Sequence, residues 1–234
     1  MQLTLGKKVF VTKSIKIVVS VAFSFLLIAC GRSPDPTLYL LNPIAPKQTI
    51  KTPRVPAQGH LRLGIERITL PSYLTKTPTM ILHQTPHRLG ILDNYQWGDN
   101  LDKMVQQVIT ANLQALLPGA IIENYPWSSH LHPNYYLQVT ITDFKMMFNG
   151  KSILRAHALV YTDNKPVRAL NVAYEGAAPS ILLKKPLHVE ALVKVMNQQL
   201  TRLSQEMSIM LRKLDFSEHH SISIEHRKPA FRRR

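Results

Sequence analysis

Apolar and polar residues alternate in "LRLGIERITLP", where Leu61, Leu63 and Ile65 fall opposite Arg62, Gly64 and Glu66. This is the period of a half-buried strand, and Pro71 ends it. Two short apolar runs, "TMIL" and "RLGIL", predict two further strands. The period then lengthens. In "WGDNLDKMVQQVITANLQALLPG" two rows recur at spacings of three and four, Leu101, Met104, Val105, Val108 and Asn112 in one, Ile109, Leu113, Leu116 and Leu117 in the other. They predict an amphipathic helix with Asp99 or Asn100 as N-cap and Pro118-Gly119 as the stop.

Strand periodicity returns in "AIIENY" and, after a loop rich in Pro, Ser and His, over Tyr135 to Phe148. There Leu137, Val139 and Ile141 oppose Gln138, Thr140 and Thr142. Asn149-Gly150 predicts a type I′ hairpin turn, Ile153 to Tyr161 the returning strand, "TDNKP" a second turn, and Val167 to Tyr174 the third strand of a meander. A second helix is predicted from Leu187 to about Leu214, with Val189, Leu192, Val193, Met196, Leu200, Leu203, Met207 and Met210 at helical spacing. The order of elements predicts the α/β class: a two-layer sandwich, a mostly antiparallel sheet with two amphipathic helices packed on one face.

The amino-terminal pattern is of another kind. Lys7, Lys8, Lys13 and Lys16 precede an apolar run from Ile17 to Ala29, without an acidic residue, as in an export signal. The run stops at Cys30 before the polar "GRSPDPT", short of the roughly 20 apolar residues a spanning helix needs. Leu27-Ile28-Ala29-Cys30 resembles the bacterial lipobox. The resemblance implies cleavage between Ala29 and Cys30, diacylglycerol on the Cys30 thiol and an acyl chain on its new amino group. Several acyl chains make an effectively permanent anchor. Gly31 stands where an aspartate resembles an inner-membrane retention signal, which favours the periplasmic face of the outer membrane.

The chain so divides into a signal peptide (1–29), a lipid-anchored Pro-rich tether (30–58), a folded domain (59–214) and a basic tail (215–234) expected to be disordered. Within the tether, "TLYLLNP" could pair as an edge strand that Pro43 ends. Removal of residues 1–29 leaves 25 basic residues against 14 acidic, a balance of +11. For an exported chain this points to anionic lipid head groups or an acidic partner protein, with a merely solvated surface as the alternative, and away from nucleic acid. With Cys30 the sole cysteine, the folded domain contains no disulfide and depends on packing.

The chemistry-bearing motifs are sparse. The sequence holds no G-x-S-x-G, no phosphate-cradling Gly-rich loop and no H-E-x-x-H, so nothing points to an enzyme or a cofactor. His83 and His87 have the spacing of a helical metal pair, but Pro86 between them argues for loop residues. His130 and His132 form H-x-H without a third ligand near in sequence, so no metal site is expected, and His219, His220 and His226 belong to the tail. Met104, Met196, Met207 and Met210 are expected in the core.

Two longer segments carry a resemblance. "LGIERITLPSYLTKTPTMIL" with "RLGILDNYQWGDNLDKMVQQVITANLQALLP", and then "YYLQVTITDFKMMFNGKSIL", resemble the PqiC/YmbA-type family of ABC-type transport auxiliary lipoproteins. The matching features are Ile65 and Ile68 before Leu70-Pro71, Tyr73-Leu74, Pro78, and Trp97 opening a helix through Leu101 and Leu113. The resemblance runs over residues 37–212 and departs at Gly98-Asp99-Asn100 and in the basic tail. It implies a non-catalytic component of an intermembrane lipid transport system that maintains envelope integrity, with an MCE-domain periplasmic protein and ABC transporter subunits as partners. Tyr73, Leu74 and Trp97 are the expected partner-binding residues, with a core role for Trp97 as the competing expectation. Self-association into a homo-oligomer is compatible with the sequence. An envelope structural or cell-wall-regulating lipoprotein is the alternative.

Overall fold

A computed structural model describes residues 35–43, 61–163, 165–178 and 189–225, with side chains as far as Leu214. Ala29, Cys30, most of the tether and the end of the tail lie outside these residues. Among the described residues eight strands and three helices follow in the order β1 (Thr37–Tyr39), β2 (Arg62–Ile65), α1 (Ser72–Thr75), β3 (Thr79–Thr85), β4 (Arg88–Trp97), α2 (Leu101–Leu116), β5 (Ile121–Asn124), β6 (Tyr135–Met147), β7 (Lys151–Thr162), β8 (Lys165–Ala177) and α3 (Val189–Glu225).

All eight strands join one open sheet centred on β6. One side of β6 pairs antiparallel with β7, and β7 with β8. The other side is shared: Tyr135–Leu137 pair with β2, and Met146–Met147 with β3. Beyond β2 lies β5, and beyond β3 lie β4 and then β1. The long ladders are antiparallel; the short ones, β1 on β4, β2 on β5, β2 on β6 and β3 on β6, are parallel. The expected edge strand in "TLYLLNP" is β1, and Leu41 just after it is buried in the core.

Alternation along the strands separates two faces. Tyr135, Leu137, Val139 and Ile141 of β6 and Leu154, Ala156, Ala158 and Val160 of β7 are buried. Against this core lie Met104, Val105, Ile109 and Leu113 of α2 and Leu192, Met196, Leu200, Leu203 and Met207 of α3. Met210 packs half-buried at its margin. Two polar pairs lie inside the helix layer. Asn112 Nδ2 donates to Ser204 Oγ between the two helices at 3.2 Å, and Gln199 joins α3 to β7 through Ser152. Gln106 receives Ile68 N–H and donates to Glu66 O and Asn124 Oδ1, fixing α2 over the end of β2 and β5.

Three expectations need correction. The β6–β7 turn is not type I′: only Gly150 has positive φ, 81°, and its N–H donates to Met147 O. The connection is therefore the three residues Phe148-Asn149-Gly150 with glycine in the left-handed position. On the other edge of β6 the Phe148 N–H donates to His83 O of β3 at 2.9 Å. Second, α3 continues to Glu225 rather than ending near Leu214. No Gly or Pro interrupts the chain over these residues, and propensity alone permits the extension. Third, His83 lies in strand β3 and not in a loop, whereas His87 occupies the turn after it. At the start of α2 the N-cap is Asn100, whose N–H donates to Asp99 Oδ1.

Candidate functional site

The three expected partner-binding residues flank β3: Tyr73 and Leu74 belong to α1, just before it, and Trp97 ends β4. Pro71 O receives Leu74 N–H and so closes the single turn of α1. Leu74 is buried beneath that turn; Trp97 is 5% exposed and its N–H donates to Pro78 O. Tyr73 is half-buried, with its hydroxyl 3.2 Å from His83 Nε2 and the two rings edge-on. Leu74 and Trp97 thus lie in the hydrophobic core, and of the trio only Tyr73 keeps appreciable exposed surface.

Tyr73 and His83 border a polar cluster. Asp143 follows a bulge in β6 and accepts from Lys145 and Arg155, each at 2.7 Å. Burial alone would raise the Asp143 carboxyl, but these two hydrogen bonds and charges outweigh it and hold it below the usual carboxylate range. Burial, with Lys145 nearby, lowers the His83 imidazole, so the neutral ring is favoured. Burial raises the Tyr73 phenol. The carboxylate is engaged by two cations and one imidazole nitrogen by a phenol. The arrangement braces β3, β6 and β7.

Sequence reading missed a second group. Tyr125 meets Trp127 edge-on at 5.3 Å between ring centres, Trp127 tilts against Tyr136 at 5.5 Å, and Tyr136 stacks on Tyr161 at 5.1 Å. Gly64 makes room for the row: a Cβ there would lie 3.1 Å from Trp127 ring carbons and 3.0 Å from Pro133. The Tyr161 hydroxyl donates to Glu66 Oε1, and burial together with that carboxylate pushes the phenol up to about 12. Arg67 lies over the Tyr125 ring, and Glu123 accepts from Ser128 N–H and Oγ to hold the Trp127 loop. The legible signal was Tyr136, an aromatic residue on the otherwise polar face of β6.

Two surface clefts flank α3. One, of about 620 Å³, runs between Leu38, Leu40 and Asn42 on one side and Val193, Lys194 and Asn197 on the other, closed by Asn42 N–H to Asn197 Oδ1 at 2.9 Å. The other, of about 440 Å³, lies between Arg168 and Leu170 of β8 and Glu206, Ile209, Met210 and Lys213 of α3. His130 and His132 are exposed in the loop before β6, where the His132 carbonyl accepts from Arg62 Nε. Among the described residues no three His, Cys, Asp or Glu side chains are grouped to hold a metal, and no helix is long and apolar enough to cross a membrane. Ala29 and Cys30 lie outside the described residues.

The class these features define is an α/β domain in which two helices back one face of an open mixed sheet. Residues 39–208 match the model of the ABC-type transport auxiliary lipoprotein component family, and the chain belongs to that family. It is 30% identical over 105 residues to the Escherichia coli intermembrane transport lipoprotein PqiC, and equally to the Shigella flexneri protein of that name. Those matches span 44% of this chain and 54% of each relative, about half the length of the curated relatives. A crystal structure of a Xanthomonas campestris protein superposes with a TM-score of 0.62 at 13% identity, covering 78% of this chain and 99% of the other. A second crystal structure, of an uncharacterised protein, gives 0.59 at 18% identity, covering 76% and 99%. At these identities the likeness is one of fold.

Proposed function

We propose that the protein is a non-catalytic accessory subunit of an intermembrane lipid transport system. Lipid on Cys30 anchors it to the periplasmic face of the outer membrane. The domain docks an MCE-domain periplasmic protein that is coupled to an inner-membrane ABC transporter, and the assembly maintains envelope integrity. The mechanism is binding and positioning, with no covalent step.

The observation that carries this reading is the extent of the family match, from Tyr39 in β1 to Ser208 in α3. It begins at the last residue of the edge strand and takes in the rest of the sheet, all of α2 and the first half of α3. The polar clusters agree with a binding role, because Asp143, His83 and Glu66 are each engaged by neighbours within the fold. The basic balance of the chain suits a site beside anionic head groups.

Affinity purification of the full-length protein from crosslinked, detergent-solubilised membranes tests the reading. Mass spectrometry should identify MCE-domain and ABC transporter subunits. Recovery of cell-wall synthases alone would overturn it in favour of a structural or cell-wall-regulating lipoprotein.

A further inference from the structure

We propose that the β3–β4 hairpin end of the sheet is a lipid-contacting surface, on which Leu89, Ile91 and Phe148 enter the bilayer interface beside the anchor. The inference rests on lipidation of Cys30.

The first observation is an apolar patch in an unusual place. Ile91 is 66% exposed, Phe148 64% and Leu89 44%. The register brings two of them together, Leu89 opposite His83 and Ile91 opposite Ile81 on β3; Phe148, one residue past Met147, which pairs with His83, stands at the same end of the sheet toward its other face. Leu89 and Ile91, two residues apart on one strand, share a face. Large apolar residues collected at one end of an exposed sheet mark a surface that meets something other than water. His87 and Arg88, both exposed at the adjoining turn, supply groups suited to anionic head groups.

The short link between β1 and Cys30 argues for a lipid surface as the occupant. β1 is parallel to β4, with Thr37 opposite Tyr95. The amino-terminal end of β1 therefore points toward the end of β4 that carries Ile91 and Leu89. Along β4, Leu89 lies about 20 Å from the Thr37–Tyr95 pair at strand rise. From Cys30 to Thr37 the chain can span at most about 25 Å. Because β1 is part of the sheet, an anchor at Cys30 holds this end within reach of the membrane surface. An interfacial apolar group beside an acyl anchor strengthens binding and fixes orientation.

The test uses the full-length lipidated protein reconstituted into vesicles of phosphatidylethanolamine and phosphatidylglycerol. Once Cys30 is acylated, Ile91→Cys provides a single free thiol for an environment-sensitive fluorophore, and Ile209→Cys, in the groove between β8 and α3, provides a control. Quenching by spin-labelled lipid should be at least about twofold greater at position 91 than at 209. Replacing Leu89 and Phe148 with Ser in the labelled protein should reduce that difference. Equal quenching at the two positions in protein shown to carry palmitate would overturn this inference and leave the anchor standing. Disulfide-linked dimers through position 91 without quenching would assign the patch to a second copy and also overturn it. Absence of palmitate would overturn the anchor, and this inference with it.

Discussion

Trp97 and His83 show how burial decides what a side chain does in this protein. Trp97 is in the core at the joint between β4 and α2, so Trp97→Ala should destabilise the fold by about 3–5 kcal/mol, as other large core truncations do. Urea unfolding measures this; a loss of partner binding at unchanged stability would instead make Trp97 a surface anchor. His83 carries a pH dependence. Its folded-state value lies below 6.5, so the fold binds fewer protons at this site than the unfolded chain does. The stability gained from a neutral His83 is full above about pH 6.5 and declines as pH falls toward the lowered folded value. Lowering the pH from about 7.5 to about 5 should therefore cost the wild type more stability than His83→Gln. Equal slopes would contradict the assignment. The sequence made the core role of Trp97 visible as one of two readings, but not that of His83, whose partner Tyr73 comes from α1 and whose carbonyl holds the Phe148 turn.

At the scale of elements, packing between β8 and α3 offers a sharp test. A Cβ on Gly176 would lie 2.6 Å from Val195 Cγ1, and valine is stiff at χ1, so the helix itself must move. Gly176→Val should destabilise by about 1–3 kcal/mol through overpacking, read as a lowered urea midpoint. An unchanged midpoint would mean that α3 does not sit on β8 as described. Between the helices, Asn112→Ala removes the hydrogen bond to Ser204 in a buried seam and should cost about 1–3 kcal/mol. Most of the elements were legible because their apolar periods are long. The α2 stripe even included Asn112, whose spacing placed it on the buried face before any partner was known. The turn between β6 and β7 differs from the expected one because Asn-Gly suits a two-residue turn and also a three-residue turn with glycine in the left-handed position, and the local residues do not choose between them. The mixed pairing of the sheet was hidden because the partner strands lie elsewhere in the sequence. Alternation reports which residues face the core, but not that β6 divides one edge between β2 and β3. The aromatic row from Tyr125 to Tyr161 joins three separate segments and left only Tyr136 as a local clue.

At the scale of the whole molecule, β1 changes the reach of the anchor. Residues 30–58 read in sequence as one tether, yet Thr37–Tyr39 pair with β4 and Leu41 is buried. Only the stretch before Thr37 then separates Cys30 from the sheet, so under the proposed lipidation of Cys30 the domain would work close to the membrane. The most direct test of the anchored docking account is separation of inner and outer membranes from cells labelled with palmitate. The account predicts labelled wild-type protein in the outer-membrane fraction, and a Cys30→Ala variant that is unlabelled and lost from it. Wild-type protein in the inner membrane, or an unchanged distribution and labelling of Cys30→Ala, would contradict it.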